Sequence, residues 1–154
     1  NGTYVLLKRL SSKDEKRRLV AAIYIADMHD CEVIGFGNNI NYIGVYNGKL
    51  TSTEAYGLAA VFNSSFMDKY FRCISGSTQV NATEIRVMNF PSREQVKKIG
   101  QQVKNLKSFE IDEIDMIVNL FLGVKLKQEG ELFATLKFSS TQCSNHSSAF
   151  SVIG

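Results

Sequence analysis

Cysteine, histidine, tryptophan and proline are scarce in this sequence. Its 154 residues include three cysteines, two histidines, one proline and no tryptophan. Cys31, Cys73 and Cys143 are an odd number of widely spaced thiols, which argues against a disulfide framework and favours a reducing cytoplasm. His29 lies two positions before Cys31, but a zinc site needs further ligands that are not evident. The sequence therefore predicts neither disulfides nor a metal site.

Long apolar runs and a signal peptide are missing as well. No stretch reaches the roughly 18 apolar residues that a membrane span needs, so no membrane partner is expected. The chain starts at Asn1 inside a strand-like run, which predicts that it is a piece of a longer protein.

Common catalytic motifs are also absent, and the chain is predicted to carry no catalytic residue. It has no P-loop, no paired-histidine metal motif and no G-x-S-x-G elbow, and Gly35-Phe36-Gly37 is too short for a glycine-rich cofactor loop. Asp27, Asp30 and Glu32 form a small acidic group that could hold a divalent cation, as in nucleases. A solvated turn is the alternative interpretation of this group, because no lysine lies nearby at strand spacing.

The charged residues are unevenly distributed, although the net charge is only +3. Six basic side chains and two acidic ones lie between Lys8 and Arg18, and five basic and one acidic lie between Arg93 and Lys107. Such basic clusters suit a phosphate backbone, and a solvated face is the alternative.

Hydrophobic periodicity predicts a mixture of strands and helices. Strands are expected at Tyr4–Arg9, Leu19–Ala26, Val33–Phe36, Asn41–Tyr46 and Glu84–Phe90. Ser12-x-x-Glu15 predicts a brief helical turn. A capped amphipathic helix should begin after Thr51 and bend or end at Asn63-Ser64-Ser65, and 75–81 should form a loop. Further helices should follow Ser92 and Asp112, the second ending at Gly123.

This pattern predicts an α+β fold, with a mixed sheet packed against helices and a C-terminal helical pair. The predicted divisions are a domain at 1–92, a helical arm packed on it at 93–124, and a partly disordered tail at 125–154 that is rich in serine and asparagine.

Two stretches resemble a known family. The first is YVLLKRLSSKDEKRRLVAA at Tyr4–Ala22, and the second contains LAAVFNSSFMDKYF followed by SGSTQVNATEIRVMNFPS and ends at Ser92. Both are similar to the C-terminal target-recognition region of type II restriction–modification adenine-specific DNA methyltransferases. The second is also similar, more loosely, to type I specificity subunits. The resemblance spans roughly residues 1–122.

The resemblance implies that this chain binds duplex DNA and presents its target to a methyltransferase domain. Enzymes of that family use an N-P-P-[YF] turn, which a chain with one proline cannot contain. The resemblance therefore implies that the catalytic half, with its S-adenosylmethionine, lies upstream of Asn1 or in another subunit, and that this chain binds no cofactor itself.

Two sets of side chains are predicted to contact DNA. Phosphate contacts are expected from basic residues: Lys8, Arg9, Lys13, Lys16, Arg17, Arg18 and Arg72. Base or phosphate contacts are expected from polar loop residues: Asn38, Asn39, Ser77, Thr78, Gln79 and Asn81. Turn formation is the alternative role for Ser77, Thr78 and Asn81. Tyr42 and Tyr46 either stack on bases or pack on a core face.

Two other functions remain open from the sequence. The chain could be a separate specificity subunit that acts in trans, with the helix from Arg93 to Leu106 as its docking arm. It could instead be a fragment of a metal-dependent nuclease that uses the Asp27, Asp30 and Glu32 group.

Overall fold

The structure, a computed structural model, describes residues 2–28, 33–124 and the backbone of 151–153. Within these residues a sheet packs against a layer of helices. The strands are β1 Thr3–Lys8, β2 Ala21–Ile25, β3 Ile40–Gly44 and β4 Ser151–Ile153. The helices are α1 Ser52–Asn63, α2 Ser65–Ile74, α3 Ala82–Val87, α4 Arg93–Val103 and α5 Ile111–Leu122. The α+β class predicted from the sequence is confirmed.

The sheet is antiparallel, with strand order β2-β1-β3-β4. Successive side chains of a strand point to opposite faces. Val5 and Leu7 of β1 are fully buried against the helices, so Tyr4, Leu6 and Lys8 lie on the outer face. Tyr4 is paired with Tyr24 of β2, and Leu6 with Tyr42 of β3. The outer face therefore carries three tyrosines on three adjacent strands.

Local capping defines the ends of α1, α2 and α4, as the sequence predicted. Thr51 and Glu54 form a reciprocal capping box at the start of α1, and Ser92 and Gln95 form one at the start of α4. Between α1 and α2, the Ser64 hydroxyl donates to the Val61 carbonyl and accepts from the Met67 N–H. These bonds end one helix and begin the next, so the predicted break at Asn63-Ser64-Ser65 is confirmed.

The closest packing in the helical layer is between α1 and α4. A Cβ atom on Gly57 would lie 2.0 Å from the Val96 carbonyl oxygen, and one on Gly100 would lie 1.9 Å from the Thr53 carbonyl oxygen. Both distances are impossible for real Cβ atoms, so the two backbones touch because neither position carries a side chain.

Two local predictions were wrong and a third was right only in part. Residues 84–90 were expected to form a strand, but Ala82–Val87 is a short helix that buries Ile85 and is followed by the buried C-cap residue Met88. Val33–Phe36 is not a strand: β3 pairs with β1 instead, and the Phe36 ring lies against Tyr4, Tyr24 and Tyr42. Ser12–Glu15 forms a single hydrogen-bonded turn, in which the Glu15 N–H donates to the Ser12 carbonyl at 3.2 Å, and no helix follows it. The Glu15 carboxylate also accepts from the Ser12 N–H, as in a capping box.

The last helix, α5, ends where the sequence predicted, at Gly123 in the left-handed conformation. One hydrophobic core joins the sheet and the helices, and it contains Val5 of β1, Val96 and Ile99 of α4, and Ile114 of α5. The predicted division at residue 92 therefore falls within a continuous core. Residues 125–150 of the predicted tail lie outside the described residues. None of the helices described is long and apolar enough to cross a membrane.

Candidate nucleic-acid interface

Three segments that are distant in sequence meet beyond the end of β1. The Arg9 N–H donates to the Asn39 carbonyl at 2.9 Å, and the Arg9 guanidinium donates to the Asn38 carbonyl at 3.1 Å. On the other side, the Val80 N–H donates to the Arg9 carbonyl at 2.7 Å. The structure therefore brings together three backbone segments that carry six predicted DNA contacts, and we call these residues the Arg9 surface: Lys8, Arg9, Asn38, Asn39, Thr78 and Gln79.

The 75–81 loop is fixed by hydrogen bonds to its backbone. The Ser11 N–H donates to the Thr78 carbonyl at 3.3 Å, and the buried Asn41 amide donates to the Val80 carbonyl at 2.6 Å. The Ser77 hydroxyl accepts from the Gln79 N–H at 3.0 Å, so Ser77 has the turn-forming role that was the alternative to base contact. The Thr78 side chain is exposed and that of Gln79 is partly exposed. This loop therefore presents Thr78 and Gln79 from a fixed backbone.

Asn81 lies at the inner end of the loop, where it precedes α3. Its backbone N–H donates to the Glu84 carboxylate at 3.2 Å, and Glu84 also accepts from the Ser75 hydroxyl at 2.9 Å. These bonds tie the two ends of the loop to the same carboxylate. Asn81 is therefore a helix-capping residue here, which was the other role considered for it.

Arg18 corrects the prediction that it contacts phosphate. The whole residue is 1% exposed, and its guanidinium donates to the carbonyls of Ser75, Ser77 and Gln79 at 3.3, 2.6 and 3.5 Å. It also lies 5.0 Å from the centre of the Phe71 ring, in a cation–π arrangement. A buried arginine with these partners is not accessible to DNA. Arg18 instead stabilises the 75–81 loop from the interior of the protein.

Arg72 has a structural role as well, which the sequence did not reveal. Its guanidinium donates to the Asp68 carboxylate at 2.8 Å and to the backbone carbonyls of Lys13 and Glu15 at 2.9 and 2.7 Å. Asp68 accepts from the Arg18 and Leu19 N–H groups. Burial alone would raise the pKa of Asp68, but these hydrogen bonds outweigh it and lower the pKa. Together Asp68 and Arg72 fix the 13–19 segment against α2.

The remaining basic residues of the first cluster differ in exposure. Lys8 forms an exposed ion pair with Glu15 at 2.6 Å, and the hydrogen bond from Lys8 lowers the pKa of that carboxyl. Arg17 is partly buried and reaches the Ser65 hydroxyl at 3.4 Å. Lys13 and Lys16 are exposed. Of the basic residues predicted to contact phosphate, Lys8, Lys13 and Lys16 are therefore exposed, and Lys8 is engaged with Glu15.

A group of aromatic residues on the outer face of the sheet was not identified from the sequence as a site. Tyr4, Tyr24, Phe36 and Tyr42 lie in mutual ring contact there. Tyr46 is separate from them and 81% exposed. The sequence does place a tyrosine at an outward-facing position of each of three short strands. This signal predicts a cluster only when the order of the strands in the sheet is known.

The acidic group considered for a nuclease lies mostly outside the described residues. Asp27 is exposed in a short 3₁₀ turn at Ala26–Met28, whereas Asp30 and Glu32, with His29 and Cys31, are not described. The described part of the chain contains no group of three or more metal-ligating side chains. Cys73 is exposed as a free thiol.

Two curated proteins are similar to this chain. It is 46% identical over 119 residues to the Type II methyltransferase M.PstI of Providencia stuartii, and 43% identical over 116 residues to the Type II methyltransferase M.BsuBI of Bacillus subtilis. The alignments cover 77% and 73% of this chain and 23% of each relative, so the chain spans about a quarter of their length. No family model matches it, and no solved structure matches it significantly. The chain is therefore related to one portion of type II methyltransferases.

Proposed function

We propose that this chain is the target-recognition domain of an adenine-specific DNA methyltransferase of a restriction–modification system. In this role it binds duplex DNA in the cytoplasm and selects the sequence to be methylated. Its partner is a methyltransferase domain or subunit that carries the N-P-P-[YF] turn and S-adenosylmethionine. The similarity to a portion of two type II methyltransferases supports a role within such an enzyme.

The observation that carries the proposal is the convergence, at the Arg9 surface, of backbone segments that carry basic and amide side chains. Guanidinium and ammonium groups position a protein on phosphates, while glutamine and asparagine pair with adenine edges in the major groove. The Arg9 guanidinium donates a hydrogen bond to the Asn38 carbonyl, and the Arg9 carbonyl accepts one from the Val80 N–H in the 75–81 loop. Both kinds of contact are therefore available on one rigid surface.

The test for DNA binding is the salt dependence of affinity. Binding of a 20-bp duplex to the 154-residue chain should weaken steeply with salt, because each phosphate contact releases counterions. Replacing two exposed lysines of the first basic cluster, Lys13→Ala and Lys16→Ala, should reduce the slope of log K against log salt by up to about 2, or roughly 0.9 per lost contact. Lys98→Ala is the matched control, since Lys98 is an exposed lysine on α4 that pairs with Glu94.

Sequence selectivity needs a second measurement because the target is unknown. Duplexes bound from a random pool should share a recurring sequence. On that sequence Gln79→Ala should cost about 1–3 kcal/mol of binding free energy, with little loss on random DNA. A pool with no enriched sequence, together with a salt slope unaffected by the lysine changes, would contradict the proposed function.

A further inference from the structure

The outer face of the sheet carries a compact group of rings, which we call the aromatic cluster: Tyr4, Tyr24, Phe36 and Tyr42. The centroid of Phe36 lies 5.9 Å from that of Tyr4, 5.7 Å from Tyr24 and 5.5 Å from Tyr42. The Tyr4 ring also covers Gly44, where a Cβ atom would lie 3.2 Å from two ring carbons. Each of the four rings is only partly buried. The cluster therefore presents aromatic surface to solvent on the side away from the hydrophobic core.

The cluster borders an open cavity of about 500 Å³, which is also lined by Gly2, Val33 and Ile34. This volume falls in the range of small-molecule sites, and the lining combines aromatic rings with polar atoms. Tyrosine contributes both a stacking face and a hydroxyl that donates or accepts hydrogen bonds. The rings already touch each other, so a planar ligand would stack on the cluster rather than insert between its members.

The cavity lies beside the Arg9 surface. Lys8 is on the same face of β1 as Tyr4, four residues away, which corresponds to about 13 Å along a strand. Phe36 belongs to the same segment as Asn38, whose carbonyl binds Arg9. The Lys8 cation, which pairs with Glu15, therefore lies on the same face as the aromatic cluster, and single-stranded nucleic-acid sites combine cationic and aromatic side chains in this way.

We propose that the aromatic cluster binds a nucleobase that is unpaired from the duplex, while the Arg9 surface holds the adjoining strand. This rests on the proposed function and adds a second, extrahelical binding site to it. Any base offers a π-face, so the cluster contributes affinity for unpaired DNA with little sequence preference.

The test uses 2-aminopurine, a fluorescent base, in three DNA probes of one sequence: a paired duplex, the same duplex with the 2-aminopurine as a single-base bulge, and the single strand. The 154-residue chain should bind the bulged duplex about tenfold more tightly than the paired one, with quenching of 2-aminopurine, since stacking on an aromatic residue favours binding by such factors. Tyr42→Leu should remove this preference, and Tyr42→Phe should retain most of it.

Two further variants separate stacking from folding. Tyr46→Leu, at a tyrosine outside the cluster, should leave the preference unchanged. Phe36→Leu, in a segment outside the strands, should reduce it even if Tyr42→Leu proves unstable in a thermal melt.

The possible results distinguish the two proposals. Salt-dependent binding of the paired duplex with no preference for the bulge, or a preference that Tyr42→Leu and Phe36→Leu both leave unchanged, overturns the unpaired-base site while the proposed function stands. Failure to bind either duplex contradicts the proposed function. In that case the single-stranded probe tests the inference. If the chain does not quench 2-aminopurine in that probe, or if Tyr42→Leu leaves the quenching unchanged, the unpaired-base site is overturned as well.

Discussion

The α1–α4 contact and the outer face of the sheet both contain glycines packed against a neighbour, but they differ in what that neighbour is. At the α1–α4 contact, Gly57 and Gly100 lie against backbone carbonyls of the facing helix. On the outer face, Gly44 lies against the edge of a tyrosine ring. A side chain can shift by a few tenths of an ångström, whereas a helix backbone moves only as a unit. The interior contact is therefore intolerant of change, and the outer face can adjust.

The same contrast applies to charge. At one end of the α1–α4 contact the fully buried Glu54 accepts from Thr51 and from Arg93, the first residue of α4. On the outer side of the molecule, Lys8 and Glu15 form an exposed pair, which contributes little to stability. The ion pair of the buried Glu54 therefore belongs to the helical layer, whereas the exposed pair of Lys8 belongs to a surface proposed to bind DNA.

The largest effect is expected from a methyl group at the α1–α4 contact. Gly100→Ala should lower the free energy of unfolding by about 3 kcal/mol, because overpacking exceeds the gain of about 1 kcal/mol in helix propensity. The melting temperature should fall by roughly 10 °C. Gly44→Ala is the matched variant on the outer face and should change stability by less than about 1 kcal/mol, since the Tyr4 ring can move. Equal losses for the two variants would remove the distinction between the regions.

A smaller loss of stability is expected when Arg18, which is buried under the 75–81 loop, is replaced. Arg18→Ala removes a guanidinium that donates to three carbonyls and leaves those acceptors buried, which should cost about 2–3 kcal/mol in a denaturant titration. Lys16→Ala, two residues earlier and exposed, should cost less than about 0.5 kcal/mol. If Arg18→Ala left stability unchanged but weakened DNA binding, Arg18 would be a phosphate contact after all.

The smallest expected effect is the acid sensitivity of Glu54. Burial alone would raise the pKa of Glu54, but hydrogen bonds from Arg93 and Thr51 outweigh it and lower the pKa from 4.5 to about 2. A carboxyl with a lowered pKa stabilises the fold fully above pH 4.5 and loses that contribution as the pH falls toward 2. Glu54→Gln should be less stable than the wild type by about 2 kcal/mol at pH 7, and the gap should narrow below pH 4. A gap independent of pH would mean that the charge of Glu54 is unimportant.

Local signals in the sequence predicted the helical layer well. The capping boxes at Thr51 and Ser92 and the glycine at 123 define helix ends through bonds within a few residues, so their spacing alone is informative. The strand predicted for residues 84–90 was wrong because Ile85 and Val87 alternate with polar residues, as they would in a strand. The buried residues are instead Ile85 and the C-cap residue Met88, and a six-residue helix that buries one side chain shows too little periodicity to identify.

The candidate site was predicted only in part, because exposure depends on tertiary contacts. Arg9, Asn38 and Gln79 belong to one surface, as a DNA-binding interpretation requires, but nothing in their spacing shows that they meet. Arg18 looked like its exposed neighbours Lys13 and Lys16 in a basic run, and only the packing of the 75–79 loop over it reveals that it is internal. Base contact by Gln79 and phosphate contact by the lysines stay predictions.

The hydrogen bonds from Arg18 to the 75–81 loop have a consequence for how the proposed sequence specificity can change. Its bonds go to the carbonyls of Ser75, Ser77 and Gln79, a group that every amino acid carries. The loop can therefore exchange side chains at positions 78 and 79 without losing the hydrogen bonds from Arg18 that position it. For the function proposed above, a new DNA target could then be acquired by substitution at positions 78 and 79 while the hydrogen bonds from Arg18 are retained.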